Sequence, residues 1–303
     1  MTVLPMSASL DNLVYLSSGD WEAYVLPAFG ANVIRLACQG REILRTPPDL
    51  AALVATPVVY GLPILLPPNR TADGRFTFDG RTWQLPLNEP ARHNHLHGLV
   101  CSAAFAVTGR KPDRLVCDLD NDGSLFPFPC RLTCRIQLTP AGLEHELTVT
   151  NTGSGRMPLA VGYHTNFREP AKLAVPIGQR WETDARYLPT GRMLDLDSRE
   201  KAYRDGFTPD GGRVSGFFTA AGLTAEIGSF AYTVSEPFDQ WILYNGDGQQ
   251  GFVSIEPQVG PVNSLNRPGS YPILEPGGQV TLTSRIQCRQ KPCQKMEEPY
   301  AST

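Results

Sequence analysis

Three of the chain's five histidines lie within residues 91–98, which read Ala-Arg-His-Asn-His-Leu-His-Gly. Alternate side chains on an extended strand point to the same face, so His93, His95 and His97 would converge on one spot. Three imidazoles on one face would suit a metal ion. A single Leu-His-Gly at the end of a strand, beside a ligand, would instead suit acid–base or hydrogen-bonding chemistry. The segment by itself leaves both interpretations open.

Two more titratable side chains stand at the ends of apolar runs. Glu256 ends the run 251–255, directly before a proline and a polar loop. A partly desolvated carboxylate there can have its pKa raised towards the range of a general base, although an isolated glutamate is more commonly exposed. His164 ends the run 158–163, where a lone histidine is more often a structural residue than a catalyst. Neither residue alone identifies an active site.

Arg70 follows the sequence Leu-Leu-Pro-Pro-Asn at 65–69, in which two prolines stiffen the backbone. Its guanidinium could hold the oxygens of a sugar or a phosphate, and the structural alternative is a surface arginine in a loop. The order of these residues along the chain therefore has to decide between the alternatives.

The composition limits the partners and the compartment. The 303 residues carry a net charge of −3, which gives no electrostatic footprint for nucleic acid or for an anionic membrane. We expect a small-molecule ligand, and a monomer or a homodimer. Residues 1–10 show no secretory signal, and the longest apolar run, 50–68, is too interrupted for a membrane helix. The seven cysteines are odd in number and lack a paired CxxC spacing, so we expect reduced thiols and a cytoplasmic location.

Alternating apolar and polar residues predict β-strands that could position these groups. The segments 131–138, 143–150 and 279–286 each alternate with a period of two. Such half-buried alternation is typical of antiparallel sheets packed face to face. It also places Cys134 in the core as a small apolar side chain.

Helix signals are few, and the 28 glycines and 27 prolines favour many turns. One short helix is indicated where Thr-Pro-Pro-Asp precedes Leu-Ala-Ala-Leu, at 46–53. We predict an all-β fold, a large antiparallel β-sandwich with very little helix. It would form a single domain over residues 1–288, followed by a tail over 289–303.

Short motifs along nearly the whole chain resemble the aldose 1-epimerase (mutarotase) family, and they follow one another in the order found in that family. In chain order they are Val-Leu-Pro-Ala-Phe-Gly-Ala-Asn (25–32), Gly-x-Pro…Pro-x-Asn-Arg (61–70), Leu-Asn (87–88) with Asn-His-Leu-His-Gly (94–98), Phe-Pro-Phe (126–128), Met-Pro…Gly-Tyr-His-Thr-Asn-Phe (157–167), Leu-Pro-Thr-Gly (188–191) and Ile-Glu-Pro…Leu-Asn (255–266). The resemblance implies a galactose mutarotase-like supersandwich, in agreement with the strand pattern.

The resemblance also implies roles for individual residues. Glu256 would be the general base that removes the proton of the anomeric hydroxyl, and His164 the general acid that protonates the ring oxygen. His97 would hydrogen-bond the sugar and help to place it. Opening and reclosing the ring would interconvert the two anomers without a metal or an organic cofactor. The substrate-binding residues expected from the matching motifs are Asn69, Arg70, Asn94 and Ser215.

This chemistry makes a geometric demand. Glu256, His164, His97 and Arg70 should line one pocket although they lie up to 186 positions apart. Glu256 and His164 should flank the C1–O5 edge of a sugar, and we expect no direct buried ion pair between them, since such a pair would neutralise both roles.

Two departures from the family pattern bear on the sugar. Ser215 stands where the family often has an aspartate that binds sugar hydroxyls, and Asp210 or Asp239 could take its place. Leu99 follows the Leu-His-Gly where a second glycine is common. These changes suggest a different sugar, a modified sugar or a sugar phosphate.

Three functions are therefore compared. The favoured one is an aldose mutarotase. The second is a non-catalytic sugar-binding or regulatory protein on the same scaffold, since a fold does not determine a function. The third is a metalloenzyme built on His93, His95 and His97.

Overall fold

The fold is described from a computed structural model that places residues 13–289. The segment examined for a secretory signal, 1–10, lies outside the described residues. So does the expected tail, 289–303, except for Arg289.

Antiparallel strands are the dominant regular structure of the described chain, which confirms the predicted all-β class. Two short helices, α1 (Leu50–Ala55) and α2 (Ser198–Asp205), accompany them. No helix among the described residues is long and apolar enough to cross a membrane. The strands in residues 13–289 are β1 (Val14–Ser18), β2 (Trp21–Leu26), β3 (Asn32–Cys38), β4 (Arg41–Glu42), β5 (Ile64–Leu65), β6 (Arg70–Ala72), β7 (Arg75–Phe78), β8 (Arg81–Gln84), β9 (Asn94–Leu96), β10 (Ala106–Lys111), β11 (Arg114–Asn121), β12 (Cys130–Thr139), β13 (Gly142–Asn151), β14 (Met157–Pro158), β15 (Gly162–Tyr163), β16 (Thr165–Arg168), β17 (Leu173–Ala174), β18 (Ile177–Thr183), β19 (Pro189–Leu194), β20 (Ser215–Ala220), β21 (Thr224–Ile227), β22 (Phe230–Val234), β23 (Gln240–Tyr244), β24 (Phe252–Gln258), β25 (Ile273–Leu274) and β26 (Gln279–Cys288).

Two large antiparallel sheets form the sandwich. The back sheet has the spatial order β10-β11-β12-β13-β26-β22-β21-β17. The site sheet has the order β19-β18-β20-β23-β24-β15-β5, and β16 also pairs with β24. Strands β1 to β4 form a separate four-stranded sheet, and the pairs β6–β9, β7–β8 and β14–β25 complete the pattern.

The predicted alternation is present in the back sheet. The segments 131–138, 143–150 and 279–286 lie within β12, β13 and β26. Strand β13 is hydrogen-bonded to β12 on one side and to β26 on the other. The inward-facing side chains of β12, Cys134 among them, are fully buried, which confirms its predicted place in the core. The period of two therefore identified the face that packs on the site sheet.

Aromatic and polar side chains join the two sheets across the core. Phe167 of β16 packs edge-on against Tyr232 of β22, with 5.3 Å between ring centroids. His145 of β13 is fully buried and lies between two partners, with its Nδ1 3.2 Å from the Tyr163 hydroxyl and its Nε2 3.2 Å from Cys134 Sγ. Burial lowers the pKa of His145 to about 4, so its ring is neutral at pH 7.

Both helices begin with a side-chain cap. Asp49 Oδ1 accepts a hydrogen bond from the Ala52 N–H at 2.7 Å, which confirms the predicted short helix. The sequence analysis missed α2, although Asp197 and Glu200 form a reciprocal capping box at its start. The spacing Asp-x-x-Glu was the available signal.

Gly98 sets the position of the segment that carries His97. It has a left-handed backbone (φ 71°) and forms a parallel bridge with Leu66. A β-carbon at this position would overlap the carbonyl oxygen of Leu66. Only glycine fits here without moving the backbone.

We expect Gly98→Ala to lower the free energy of unfolding by about 3 kcal/mol or more, because both the left-handed conformation and the overlap are penalised. Gly40→Ala is the matched control, since Gly40 is also left-handed (φ 74°) but has open space around the added carbon. It should cost only about 1–2 kcal/mol. Urea unfolding of both variants measures the difference, and equal losses would contradict the proposed overlap.

Candidate active site

A cavity of about 320 Å³ opens beside β20, β23 and β24 of the site sheet. Its volume lies at the lower end of the range for small-molecule pockets, about 300–1,000 Å³, and suits one small ligand. Of the seven predicted site residues, six line this cavity: Asn69, Arg70, His97, His164, Ser215 and Glu256. The four residues that had to meet in one pocket are among them.

Glu256 lies inside β24 rather than at its end, because the strand continues to Gln258. It is paired across the sheet with Ile242 of β23, and every residue of β24 is buried. Burial raises the pKa of Glu256 well above its usual range, and the charge of Arg70 acts in the opposite direction.

His164 lies between β15 and β16, and its ring is oriented by Asn166. Its Nδ1 is 3.1 Å from Asn166 Oδ1. That amide oxygen also accepts from the Ser254 hydroxyl at 2.6 Å, and the amide nitrogen donates to the Val58 carbonyl at 2.9 Å. Because Asn166 Oδ1 can only accept, the hydrogen of this contact is on Nδ1 of His164. The Nε2 atom is thereby directed at Glu256.

The two residues touch, which corrects the expectation that they would not. Nε2 of His164 is 3.2 Å from Oε1 of Glu256, and each side chain is only 4% exposed. The physical reason is the strand register. Strand β24 is antiparallel to both β15 and β16, with Gly162 opposite Gln258 and Thr165 opposite Ile255. That register brings His164 opposite Glu256.

A proton between the two atoms would turn this contact into an attractive one. With Nδ1 already carrying a hydrogen, Nε2 of His164 can accept from a protonated Glu256, or it can donate as an imidazolium to the carboxylate. Burial lowers the pKa of His164 to about 4 and raises the pKa of Glu256, so both shifts favour the neutral form. The pair holds a single proton in either form.

His97 packs against this pair. Its ring meets the His164 ring edge-on, with 5.2 Å between centroids, and its backbone N–H donates to the Asn69 carbonyl at 2.8 Å. Nδ1 of His97 is buried and has no hydrogen-bond partner among the described residues. Burial, together with the nearby His164 and Arg70, lowers the pKa of His97 well below its usual value, so the ring is neutral.

Arg70 is fixed by Glu89 rather than lying free in a loop. Its Nε and Nη2 donate to the two carboxylate oxygens of Glu89 at 2.9 and 2.8 Å. Burial tends to raise the pKa of Glu89, but hydrogen bonds from Arg70 and Asn94 outweigh it and hold that pKa below its usual value. This two-pronged contact sets the plane of the guanidinium.

Asn94 is placed behind the cavity wall rather than on it. Its side chain is fully buried and donates to Glu89 Oε2 at 2.9 Å and to the Arg186 carbonyl at 3.1 Å. The expected sugar contact of Asn94 therefore becomes an indirect one, through Glu89 and Arg70. The sequence could not distinguish a residue that lines the cavity from one that lies behind its wall, because either would be a polar residue beside the same strand.

Ser215, at the start of β20, lines the cavity, but neither candidate replacement for the aspartate does. Asp210 pairs with Arg199 at 2.8 Å. Asp239 accepts a hydrogen bond from the Gly260 N–H at 2.7 Å and lines a different cavity. The cavity therefore has no carboxylate in the place where the family often has one.

The three histidines of the 91–98 segment do not converge. Strand β9 covers only Asn94–Leu96, and left-handed residues at both ends (φ 55° at His93, 61° at His97) break the alternation. His93 is exposed and contacts Asp73 at 2.8 Å, whereas the buried His95 contacts the Pro86 carbonyl at 2.7 Å. Within residues 13–289, no group of three metal-ligating side chains is assembled.

Arg92, Tyr187 and Arg213 are among the lining residues that the sequence did not predict. They lie in turns and connecting segments, where no periodic pattern exists. A weak signal was the position of Arg213, two residues before Ser215.

The sequence profile of the family described as aldose 1-epimerase matches residues 13–287. The chain belongs to the aldose 1-epimerase family. The match covers every residue described above as lining the cavity.

Relatives of this epimerase-family protein agree with the fold. A galactose mutarotase-like protein from Clostridium acetobutylicum is 26% identical, with a TM-score of 0.84 over 90% of this chain and 94% of that one. A galactose 1-epimerase from Lactobacillus acidophilus is 16% identical, with a TM-score of 0.72 over 91% and 94%, a likeness that shows the fold alone. The uncharacterized Escherichia coli protein YihR is 23% identical over 297 residues, which is 92% of this chain and 94% of YihR.

We expect Glu89→Gln to lower the free energy of unfolding by about 2–3 kcal/mol, because it leaves a mostly buried Arg70 without its charged partner. Glu182→Gln is the matched control, since Glu182 pairs with Arg192, whose side chain is 71% exposed. That change should cost less than about 1 kcal/mol. Chemical denaturation of the two variants measures the difference, and a loss at Glu89 no larger than at Glu182 would show that the contact contributes little.

Proposed function

We propose that this member of the aldose 1-epimerase family interconverts the α and β anomers of an aldose by acid–base ring opening and reclosure. The observation that carries the proposal is the buried contact of Glu256 and His164 on the wall of a sugar-sized cavity. An acid and a base side by side suit a hemiacetal, because its hydroxyl oxygen O1 and its ring oxygen O5 are bonded to the same carbon.

The reaction starts from the ion-paired form of the two residues. The Glu256 carboxylate accepts the proton of the O1 hydroxyl while Nε2 of His164 donates its proton to O5. The C1–O5 bond breaks, its electron pair stays on O5, and C1=O1 becomes an aldehyde. Rotation about C1–C2 and closure on the other face of the carbonyl, with the proton movements reversed, give the second anomer.

The pair keeps one proton throughout. Before ring opening the proton is on His164, and after ring opening Glu256 carries one instead. The neutral form favoured by burial is therefore the form that accompanies the open-chain sugar. Asn166 assists by holding the hydrogen on Nδ1, so that Nε2 alone exchanges protons with the substrate. Burial of the pair strengthens these interactions by excluding water.

The other lining residues place the sugar. His97 is neutral and adjoins His164, so one ring nitrogen can hydrogen-bond a hydroxyl without repelling the imidazolium. Arg70, fixed by Glu89, offers N–H donors to further hydroxyls. A binding protein without catalysis would need no shared proton between two buried groups, which is why the catalytic role is proposed.

We expect Glu256→Gln to slow anomer exchange at least about 100-fold while sugar affinity changes little, because the amide keeps the shape of the carboxylate but cannot accept the proton. Asp239→Asn is the control, since Asp239 directly precedes β23 of the site sheet but accepts from the Gly260 N–H and lines a different cavity. It should exchange anomers at the normal rate. Magnetisation-transfer NMR measures exchange and calorimetry measures binding. Normal exchange by the Gln variant, or tight sugar binding without exchange by the wild type, would refute the mechanism.

The pH profile gives an independent test. Acid inactivates the pair when a second proton enters it, because a protonated Glu256 beside an imidazolium is no longer a base. Since burial lowers the pKa of His164 to about 4, kcat/KM should stay level from neutral pH down to about pH 5 and then fall towards pH 4 and below. The profile is obtained by measuring the anomer exchange rate at each pH and subtracting the rate found with the Glu256→Gln variant as background. A midpoint near 6.5, the value of an ordinary histidine, would contradict the shared-proton pair.

A further inference from the structure

Three arginines line the cavity, and one of them has no acidic partner. Glu89 binds both Arg70 and Arg92, at 2.8 and 3.1 Å. Arg213 is exposed, and no carboxylate of the described residues lies within 4 Å of its guanidinium. Arg213 instead acts on Tyr187, because it makes the largest contribution to the lowered pKa of that hydroxyl.

Tyr187 packs against two of the three guanidinium groups at the cavity. Its ring lies 5.0 Å from the Arg70 guanidinium and 4.7 Å from that of Arg92. Its backbone is left-handed (φ 60°), a conformation that a tyrosine adopts only where its surroundings impose it. The hydrogen bond and charge of Arg213, and the charge of Arg92, lower the pKa of Tyr187, as expected where positive charge is concentrated.

Negative charge to balance these arginines is scarce. Glu256 is the one carboxylate among the described residues that line the cavity, and it shares its proton with His164. Glu89 compensates one charge of the three. Ser215 occupies the place where an aspartate would have put a second carboxylate on the wall that Arg213 also lines. The cavity is therefore built with a surplus of positive charge.

The arginines that carry the surplus charge and the Glu256–His164 pair lie at different depths of the cavity. Glu256 and His164 are buried, whereas Arg92 is half-buried and Arg213 is exposed. A sugar whose C1–O5 edge meets the buried pair would have other substituents directed towards the mouth. Guanidinium groups bind phosphate, sulfate and carboxylate through paired N–H donors.

We propose that the substrate is an anionic aldose, whose oxyanion, carried on a carbon other than C1, is bound by Arg213 and Arg92 at the cavity mouth. The inference rests on the proposed function for the placement of the sugar ring. It deepens that function by assigning the substrate class, and it gives Arg213, Arg92 and Tyr187 a role that neutral-sugar chemistry does not require.

Calorimetry of the wild-type protein with glucose, glucose 6-phosphate, glucose 6-sulfate and glucuronate tests the proposal. At least one of the three anionic sugars should bind about tenfold or more tightly than glucose, as expected for added charge-assisted hydrogen bonds. The advantage should shrink as salt rises from 20 to about 300 mM, because screening weakens exposed charges. The three anionic arms distinguish phosphate, sulfate and carboxylate as the source of the charge. Equal affinity for glucose and for all three would overturn the proposal.

Variants test the residues. Arg213→Gln should reduce the ratio of anionic to neutral affinity about tenfold, because it removes the guanidinium that has no acidic partner. Arg192→Gln is the control, since Arg192 is an exposed arginine paired with Glu182 outside the cavity, and its ratio should equal that of the wild type. An Arg213 variant that weakens neutral and anionic sugars alike would refute selective oxyanion binding.

Failure of this inference and failure of the proposed function give different results. Anomer exchange on glucose without any preference for anionic sugars overturns only the substrate class. Preferential binding of an anionic sugar without exchange of its anomers supports the substrate class and overturns the epimerase activity.

Discussion

The antiparallel register between β24 and the β15–β16 segment is the constraint on which the site depends. It brings His164 opposite Glu256 on neighbouring strands of one sheet, so the backbone hydrogen bonds of that sheet hold an imidazole and a carboxyl group in contact. A shift of one residue would turn one of the two side chains to the opposite face. Burial on the cavity face of the site sheet then removes water from the pair and favours the neutral form of each group.

Next to that pair lies a group of charged side chains centred on Glu89. Glu89 binds Arg70 and Arg92 and is itself held by Asn94, so one carboxylate orients two guanidinium groups. The strand pair β6–β9 carries both Arg70 and Asn94, with Arg70 opposite Leu96 and Ala72 opposite Asn94. The position of the Arg70 guanidinium is thus set by paired strands and by Glu89.

The periodicity and the order of the motifs predicted the central strands of the back sheet and the residues that meet in the cavity. Alternation located β12, β13 and β26, and the family motifs brought Glu256, His164 and other distant residues to one cavity. The direct contact of the pair could not be predicted, because it follows from a register between strands that local pattern does not encode. The convergence of three histidines failed for a backbone reason, since left-handed residues at both ends of β9 override the alternation expected of a longer strand.

The missed residue Tyr187 has a consequence for how this scaffold can diversify. The reacting pair belongs to paired strands of the site sheet, whereas Arg92, Tyr187 and Arg213 belong to short connections that join elements at the cavity rim. Replacements in those connections leave the strand ladder intact, so the side chains at the rim can change while the Glu256–His164 contact is retained. Two proteins with this strand ladder are therefore free to accept different ligands.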